Sequence, residues 1–373
     1  MPSIDMAKSD ERDNGGRALS LQIREANDGD RAAWSAFVAS RPEADILQAW
    51  AWGQAGTPEA GESWSRLLVV DGSGAVRGVA QVMARASSMG RSVLYVPHGP
   101  VWDREGSDQA AVLAQLLMGL RAHGRERRGV VLKLDPRASD DIAATEALRR
   151  ALLAAGATEA DHDLQAPTTR IVDLIEDEAL LATWTSDARS KLRRADREGT
   201  EVTVDREGRP EALDDFYSIL ADTAERGDFR IRSREFFAAL AEPLVASGDW
   251  FLSLARFEGT PLAGMIAPRT GDRAYYLYGA SIRDKELGKK RGPHAALAGL
   301  MRALREDGTE TLDMWGVREP DDETVDPSWE GFSYFKRQFG GTPLRHTGTF
   351  DIVIDPTWNR IRDWRERLRG AIR

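Results

Sequence analysis

The chain contains no cysteine and only five histidines. Without cysteine it can form no disulfide, no thiolate nucleophile and no cysteine-based zinc or iron–sulfur site. The histidines are scattered without metal-ligand spacing, so we expect neither a metal nor another cofactor. No apolar run reaches the roughly 18 residues of a membrane span. The motifs of triad hydrolases, P-loop NTPases and zinc peptidases are absent as well.

The composition is that of a folded protein with an acidic balance. A length of 373 residues favours two domains, and 42% hydrophobic residues allow each domain a core of its own. The net charge of -9 argues against DNA as a partner, so any nucleic-acid contact must come from a local basic patch. Residues 1–20 are polar and are expected to form a disordered leader. We expect a cytoplasmic protein.

One order of predicted elements occurs twice along the chain. A hairpin, a strand ending in a Pro/Gly loop, an amphipathic helix and a buried strand are predicted at 65–85, 92–102, 109–127 and 130–136. The same order is predicted at 250–269, 274–281, 293–308 and 311–316. This repetition indicates two copies of one α/β (α+β) unit. A C-terminal helix is expected to return to the first copy through Trp358, Trp364 and Leu368.

Eight short strings carry a more specific signal. They are LQAWAWGQAG (47–56), LYVPHGPVWD (94–103), LKLDP (132–136), ARSKLRRADREGTEV (188–202), DTAERGDF (222–229), YYLYGAS (275–281), DMWGV (313–317) and FSYFKRQFGG (332–341). In this order they resemble the FemABX family of nonribosomal peptidyltransferases, which add cross-bridge amino acids to peptidoglycan precursors.

The resemblance implies a fold, a reaction and partners. The fold is two tandem GNAT-like acyltransferase domains, in the compact form without a coiled-coil arm. We expect the first domain at 21–167 plus 348–373 and the second at 168–347. The donor would be aminoacyl-tRNA, and the acceptor a lipid-linked or UDP-linked muropeptide. A lipid-linked acceptor would bring the protein to the inner face of the membrane.

Two positions depart from the family pattern. Family members commonly carry a lysine shortly after the Trp-x-Trp string, near a phosphate of the acceptor, whereas this chain has no lysine between Trp52 and Gly56. The family's PRGP is PHGP here, with His98 in place of arginine. A neutral imidazole holds a diphosphate less well than a guanidinium does. The usual diphosphate contact is therefore in question, although Trp52 and His98 stay candidate substrate-binding residues.

Two residues are candidates for catalysis. Transfer from an ester to an amine requires loss of a proton from the amine and stabilisation of the carbonyl oxygen. Lys336 lies among aromatic residues before Gly340 and Gly341, where a cation can polarise a carbonyl or bind a phosphate; the alternative is a snorkelling surface lysine. Asp135 follows a buried strand and can accept or orient the amine's proton; the alternative is a turn or N-cap aspartate.

Further candidates are expected to bind the substrates. Arg226, at the end of a predicted helix, suits a phosphate or carboxylate, or else is a helix C-terminal cation. In the YxYGAS strand, alternation is expected to place Tyr276 and Tyr278 on one face, with Ser281 at the strand end. Both tyrosines also suit a protein core.

A basic helix is predicted at 188–197. Its cations are expected to contact the tRNA backbone, and they are Arg189, Lys191, Arg193, Arg194 and Arg197. The alternative is a charged, solvated helix face.

Two other functions fit parts of this pattern. One is a GNAT N-acyltransferase that uses acyl-CoA, although the loop LGKKRGPH (287–294) lacks a good acetyl-CoA signature. The other is a non-catalytic relative that binds muropeptide, which the missing lysine before Gly56 favours.

Overall fold

The computed structural model divides into two compact units. Unit 1 comprises Met1–Gln165 and His346–Arg373, and unit 2 comprises Ala166–Arg345. These limits lie close to the domain boundaries expected from the sequence. The residues that the structure describes are 9–12, 18–55, 62–104, 106–138, 141–227, 230–322 and 325–370. Within these ranges, no helix has both the length and the apolar character to cross a membrane.

Strands and helices alternate in both units. The strands are β1 (Ser9–Arg12), β2 (Ala18–Glu25), β3 (Glu62–Val70), β4 (Val76–Ala86), β5 (Ser92–Val96), β6 (Val101–Trp102), β7 (Gly129–Leu134), β8 (Thr158–Glu159), β9 (Thr168–Asp173), β10 (Glu201–Asp205), β11 (Leu252–Phe257), β12 (Thr260–Ile266), β13 (Arg269–Thr270), β14 (Arg273–Tyr275), β15 (Tyr278–Ser281), β16 (Thr311–Asp313), β17 (Thr342–Arg345) and β18 (Phe350–Val353). The α-helices are α1 (Arg31–Ala39), α2 (Trp50–Ala55), α3 (Gln109–Glu126), α4 (Ile142–Ala154), α5 (Asp177–Thr183), α6 (Ser186–Arg197), α7 (Pro210–Gly227), α8 (Arg234–Ser247), α9 (Gly292–Glu306), α10 (Glu330–Arg337) and α11 (Pro356–Gly370).

Unit 1 is built on one sheet. Its strand order is β1-β2-β3-β4-β5-β7-β18-β8, and β6 also pairs with β4. The β5–β7 pair is parallel, because α3 crosses over between these strands. Leu113, Leu116, Leu117 and Leu120 recur at helical spacing along α3 and are buried in the core of this unit. The carboxyl ends of β5 and β7 therefore lie side by side.

Unit 2 contains two sheets. Their strand orders are β10-β11-β12-β15 and β13-β14-β16-β9-β17. The strand expected at 274–281 is divided between them, because β14 ends at Tyr275 and β15 begins at Tyr278. β14 pairs in parallel with β16, whereas β15 pairs antiparallel with β12. The chain leaves one sheet for the other at 276–277, and side chains on either side of this point meet different neighbours.

The predicted repeat is present in the structure. Unit 1 contains the hairpin β3–β4, then β5, then α3, and then β7, which is parallel to β5. Unit 2 contains the hairpin β11–β12, the divided strand β14–β15, then α9, and then β16, which is parallel to β14. Order and strand direction agree, so the expected tandem arrangement of two α/β units is confirmed.

Two expectations for the chain ends need correction. The disordered leader expected at 1–20 is wrong for part of its length, because β1 and the start of β2 form an antiparallel pair. An edge strand offers unpaired backbone groups that a neighbouring segment can pair with, whatever its side chains. The rest of the expected leader, residues 1–8 and 13–17, lies outside the described residues.

The C-terminal helix α11 belongs to unit 1, and its two tryptophans have different environments. The guanidinium of Arg91 lies 4.8 Å from the ring centroid of Trp358. The expected burial of Trp364 is wrong, because that residue is 62% exposed. Six residues along a helix turn through about 600°, which leaves the two tryptophans about 120° apart. The side chain of Leu368 lies outside the described part of the chain.

Candidate functional site

The candidate site in unit 1 is centred on Asp135, which follows β7 directly. The residue is 5% exposed, and both carboxylate oxygens accept hydrogen bonds. Oδ1 accepts from the backbone N–H of His98 at 2.6 Å, and Oδ2 accepts from the hydroxyl of Tyr95 at 2.5 Å. Gln165 donates to the same tyrosine oxygen at 3.0 Å. Asp135 therefore joins the carboxyl ends of β5 and β7, and it holds the backbone of the loop after β5.

His98 lies in the loop after β5, in a left-handed conformation with φ 47°. It is 3% exposed, and its Nδ1 is hydrogen-bonded to the carboxylate of Asp45. Asp45 also forms an ion pair with Arg137, with the Nη1–Oδ2 distance at 3.3 Å. The ring of His98 packs against that of His346 with centroids 5.1 Å apart. The imidazole thus belongs to a buried polar cluster in unit 1.

Burial and charge set the protonation of this cluster. Burial raises the pKa of Asp135 to about 7, against the opposing effects of His98 and of the hydrogen bond from Tyr95. Burial alone would lower the pKa of His98, but the carboxylates of Asp45 and Asp135 outweigh it and raise that pKa. The pKa of Asp45 is lowered despite its burial, because His98 and Arg137 stabilise its charge.

Trp52 lies near this cluster in sequence, on the short helix α2. Its side chain is half-buried. The segment before α2 is tied to the His98 loop, because the side-chain amide of Gln48 donates to the carbonyl of Pro97 at 2.6 Å. Gln48 in turn accepts from the backbone N–H of Gln81 at 2.9 Å. The segment that carries Trp52 and the loop that carries His98 are therefore held against the same sheet.

The candidate site in unit 2 is centred on Lys336, in the last turn of α10. Its ammonium donates to the carbonyl of Gly316 at 3.0 Å and lies 5.2 Å from the ring centroid of Tyr276. The ring of Phe332, one turn earlier on α10, is 5.3 Å away. Ser333, three residues before Lys336 on α10, accepts a hydrogen bond from the backbone N–H of Arg318 to its hydroxyl at 2.8 Å. This bond ties α10 to the segment that follows Gly316.

Lys336 is thereby held over the end of β16 rather than extended into solvent. Its side chain is half-buried, and burial lowers its pKa to about 7, with the charge of Asp313 acting in the opposite direction. Tyr276 is buried, and burial raises the pKa of its hydroxyl, so this neighbour is neutral.

Tyr276 and Tyr278 do not line one face. Tyr276 packs in the core of unit 2 beneath Lys336, whereas Tyr278 packs edge-on against Phe237, with ring centroids 4.8 Å apart. The expectation of a shared face is wrong because the strand divides between them. Gly279 is required at this point, since a Cβ there would lie 2.1 Å from the hydroxyl of Tyr276.

Arg226 and Ser281 are brought together at the end of β15. The guanidinium of Arg226 donates to the backbone carbonyl of Ser281 at 2.9 Å and to the hydroxyl of Thr223 at 3.1 Å. Arg226 is exposed, and the carbonyl of Ser281, rather than its hydroxyl, makes this contact. These two residues form a group apart from Lys336 and Tyr276, since no hydrogen bond or ring contact joins the two groups among the residues that the structure describes.

The five cations of α6 have different environments. Arg189 donates to the carbonyls of Leu181, Ala182 and Trp184 and so caps the end of α5. Lys191 pairs with Asp187 at 2.6 Å, and Arg194 with Glu198 at 3.6 Å. Arg193 and Arg197 are exposed and form no ion pair with any residue that the structure describes. Of the five cations expected to contact tRNA, Arg193 and Arg197 are therefore the two that neither form an ion pair nor cap a helix among the described residues.

Several residues of both sites were not singled out from the sequence. In unit 1 they are Tyr95, Asp45, Arg137 and His346, and in unit 2 they are Asp313, Thr169 and Trp315. Tyr95 and Asp313 do occur in the strings LYVPHGPVWD and DMWGV, which carried the family resemblance. Over the described ranges, no three His, Asp or Glu side chains are placed so that they could hold a metal ion.

Comparisons with known proteins bear on the fold and on the family resemblance. Residues 185–324 match the family model of the acetyltransferase (GNAT) domain. The lipid II:glycine glycyltransferases of Staphylococcus epidermidis and Staphylococcus aureus are each 25% identical to this chain, over 90% of its length and 94% of theirs. A crystal structure of FemX matches with a TM-score of 0.78 and 21% identity, covering 91% of this chain and 99% of that one. A tandem GNAT protein from the clavulanic acid biosynthesis pathway matches with a TM-score of 0.55 and 13% identity, covering 90% and 99%.

The fold and these matches define the architecture of the chain, which is two tandem GNAT-like acyltransferase domains. Among proteins of that architecture, the resemblance to the FemABX family expected from eight short strings is confirmed over nearly the whole chain. The predicted type of enzyme, an aminoacyltransferase, is confirmed by the same relatives.

Proposed function

We propose that this enzyme transfers an aminoacyl group from aminoacyl-tRNA to the amine of a peptidoglycan precursor. The relatives that match 90% of the chain are named for glycine as the transferred group and lipid II as the acceptor. In the proposed step the amine attacks the ester carbonyl, a C–N bond forms and the C–O ester bond breaks. The ribose hydroxyl of the tRNA leaves with a proton, and the amine has lost one.

The observation that carries this proposal is the setting of Lys336. An ammonium has three donors, and among the described residues of unit 2 only the carbonyl of Gly316 accepts from it. The remaining donors can stabilise the negative charge that develops on the ester oxygen. Because this cation is held against Tyr276 and Gly316, little reorganisation is needed when the charge appears.

Asp135 is proposed to draw the proton from the acceptor amine. An amine with a pKa near 10 is mostly protonated at neutral pH, so the reaction requires a base. Burial brings the pKa of Asp135 to about 7, which suits a general base at neutral pH. The hydroxyl of Tyr95, bonded to this carboxylate, offers a route for the proton.

Other residues are proposed to bind the substrates. The guanidinium of Arg226 is exposed beyond its contact with Ser281, and it is suited to a phosphate or carboxylate. Tyr276 and Tyr278 would contribute from separate places, the first beside Lys336 and the second beside Phe237. For the half-buried Trp52 we propose contact with the acceptor. His98 would act by orienting Asp135, since its own ring is committed to Asp45.

The tRNA is proposed to contact α6 through Arg193 and Arg197. These side chains are exposed, lie four residues apart on one helix face and form no ion pair within the described ranges. Like charges at this spacing repel, and a polyanion removes that cost. Lys191 and Arg194 would join only by exchanging Asp187 and Glu198 for phosphate. Arg189, which caps α5, is not proposed to bind.

The acceptor is proposed to be a muropeptide, lipid-linked or UDP-linked. If it is lipid-linked, as the name of the relatives states for them, the protein works at a membrane surface. Flotation with vesicles that contain lipid II, compared with vesicles that lack it, tests this location. Binding only in the presence of lipid II is the expected result.

The experiment that tests the function is a reaction with a total pool of aminoacyl-tRNA and purified muropeptides, with products identified by mass. We expect one aminoacyl residue to be added to an acceptor. Deacylated tRNA is the control for the donor. A muropeptide that is retained but never modified would support a non-catalytic binding protein and contradict the proposal.

A second candidate is transfer from an acyl-CoA, which the match of residues 185–324 to the acetyltransferase domain favours. The loop before α9 argues against it. A Cβ at Gly292 would lie 2.6 Å from Cβ of Leu262. This glycine is therefore needed for the start of α9 to pack against β12. Replacing aminoacyl-tRNA by acetyl-CoA in the same reaction distinguishes the two donors.

A further inference from the structure

A buried aspartate, Asp313, is close enough to the candidate catalytic lysine for its charge to raise the pKa of Lys336. Asp313 ends β16, is 3% exposed and accepts the backbone N–H of Trp315 on its Oδ1 at 2.7 Å. The hydroxyl of Thr169, on β9, donates to the same oxygen. An aspartate that accepts the N–H two residues later forms an Asx turn, here at residues 313–316 and called the 313–316 turn below.

This turn has a conformation that needs support. Trp315 has φ 57°, a left-handed conformation that is uncommon for a residue with a large side chain. Hydrogen bonds to β9 hold the backbone on both sides of it, from Met314 to the carbonyl of Arg170 at 2.8 Å and from Val317 to that of Thr168 at 2.9 Å. The strained residue is thus fixed by neighbours and by the Asp313 carboxylate.

The turn ends at the atom that Lys336 contacts. With Trp315 held in this conformation, the next carbonyl, that of Gly316, accepts from the ammonium at 3.0 Å. Gly316 has no room for a side chain, because a Cβ would lie 2.7 Å from Ala166 and 2.9 Å from Trp329. The position of the Gly316 carbonyl is therefore determined by the 313–316 turn, and Asp313 closes that turn.

We propose that Asp313, anchored by Thr169, is a positioning residue: it closes the 313–316 turn on which Lys336 is held, and its negative charge favours the ammonium form of that lysine. The significance for catalysis rests on the proposed function. The positioning itself is a property of the protein without substrates, and it can be measured separately.

The charges around Lys336 support this assignment. Among the described residues of unit 2, Asp313 is the charged group that opposes the effect of burial on the lysine. On α10, Arg337 pairs with Glu330 at 2.5 Å, and Arg318, after the turn, pairs with the same carboxylate at 3.2 Å. Tyr276 is neutral, as argued above.

Another charged pair involves β9, the strand that anchors the 313–316 turn. The guanidinium of Arg170 pairs with Glu319 at 2.7 Å and also donates to the carbonyls of Gly340 and Gly341. Both charges of this pair are therefore neutralised locally. Removal of the Asp313 charge would leave Lys336 with burial alone, and the lysine would lose its proton at lower pH.

The test is the pH dependence of acetylation of Lys336 by acetic anhydride, read by mass spectrometry of its peptide in the full-length protein. Asp313→Asn removes the charge, and its side-chain oxygen can still accept from Trp315. We expect the midpoint of labelling to fall by roughly one pH unit, the size typical of one lost neighbouring charge. Glu310→Gln, an exposed residue just before the same strand, removes one charge as a matched control and leaves the midpoint unchanged.

Two further variants separate the loss of charge from a defect in folding or packing. Asp313→Ser also removes the charge and can close a weaker turn of the same kind, so it is expected to give the same shift if Asp313→Asn does not fold. Thr169→Val keeps every charge, and its midpoint stays at the native value. An unchanged midpoint in both Asp313 variants, or an equal shift in Thr169→Val, would overturn the proposal, since packing rather than charge would then control the lysine.

Activity gives a separate readout. At pH 8 the Asp313→Asn variant is expected to lose about tenfold in kcat/KM, since one pH unit means a tenfold smaller protonated fraction above the midpoint. A shifted midpoint without any aminoacyl transfer by the native protein would contradict the proposed function alone. Transfer by the native protein with an unshifted midpoint in Asp313→Asn would contradict the positioning role alone.

Discussion

The two units place an aspartate at the same point of the repeated fold. Asp135 follows β7 and Asp313 ends β16, and these are the strands that come after the crossover helix in each unit. Each carboxylate accepts the N–H of a residue with positive φ, namely His98 at 47° and Trp315 at 57°. Both units thus use a buried carboxylate to hold a strained backbone at a strand end.

The difference lies in what each aspartate holds. Asp135 reaches across to the loop after the neighbouring strand β5, where it also meets Tyr95. Asp313 closes the turn of its own chain segment, and that turn receives Lys336. The same backbone arrangement therefore presents a carboxyl group in unit 1 and an ammonium in unit 2. Burial moves the pKa of both Asp135 and Lys336 to about 7, from opposite sides.

The largest expected effect is that of removing the ammonium in unit 2. Lys336→Met should lower kcat about a hundredfold, the typical loss for one preorganised electrostatic contact of about 3 kcal/mol. The melting temperature should change little, because methionine keeps an unbranched apolar stem and only the contacts of the ammonium are lost. Lys289→Met, at an exposed lysine paired with Glu286, is the matched control and should retain full activity. A native rate in Lys336→Met would remove this residue from the mechanism.

The second effect is the loss of the carboxylate in unit 1. Asp135→Asn should reduce kcat/KM by at least roughly tenfold, since general-base contributions usually exceed that value. The amide can still accept from the N–H of His98, so the loop should persist. Single-turnover measurements above and below pH 7 report this loss. If activity is unchanged at every pH, Asp135 serves only to hold the loop.

The pH profile of activity tests the roles of Asp135 and Lys336 together. A base must be deprotonated, so activity should rise with pH through the pKa of Asp135, about 7. An ammonium must be protonated, so activity should fall as pH increases through the pKa of Lys336, also about 7. The profile of kcat/KM should therefore be a narrow bell centred near neutrality. Asp135→Asn should lose the rising limb and Lys336→Met the falling limb; a broad plateau from pH 6 to 9 would contradict both assignments.

A smaller effect is expected at α6. Replacing both Arg193 and Arg197 by alanine should weaken tRNA binding and flatten the slope of log affinity against log salt by about two units at most, since each phosphate contact contributes roughly 0.7 to 0.9. Binding of a muropeptide should not change. Titrations of tRNA at several salt concentrations measure the slope, with Arg302→Ala, a largely exposed arginine of α9, as the control. An unaltered slope would place the tRNA elsewhere.

The smallest effect concerns Arg189, on the same helix. Arg189→Ala should destabilise the protein by about 1 to 2 kcal/mol, because charged hydrogen bonds to the end of α5 are lost. Thermal melts should show a decrease of a few degrees. The salt slope of tRNA binding should be that of the native protein. A reduced slope with an unchanged melt would reverse the distinction made here between Arg189 and its neighbours.

The order of the elements and the type of chemistry could be predicted from the sequence. Apolar spacing located the crossover helices α3 and α9, and the strings LKLDP and FSYFKRQFGG pointed to Asp135 and Lys336. Periodicity failed for Tyr276 and Tyr278, because it assumes one continuous strand and the strand divides between two sheets. It also failed for Trp364, whose angular position on α11 differs from that of Trp358.

The repeated α/β order could be predicted from the sequence alone, because it follows from the local spacing of apolar and polar side chains, and the residue types available for acyl transfer are read from it directly. Which charged side chains pair with other residues of the protein depends on the tertiary structure. Asp45 and His98 are 53 positions apart, and Thr169 and Asp313 are 144 apart, yet each pair is in hydrogen-bond contact. Such contacts depend on sheet topology, which brings distant strand ends together, and burial there moves the pKa of Lys336 and Asp135 towards neutrality.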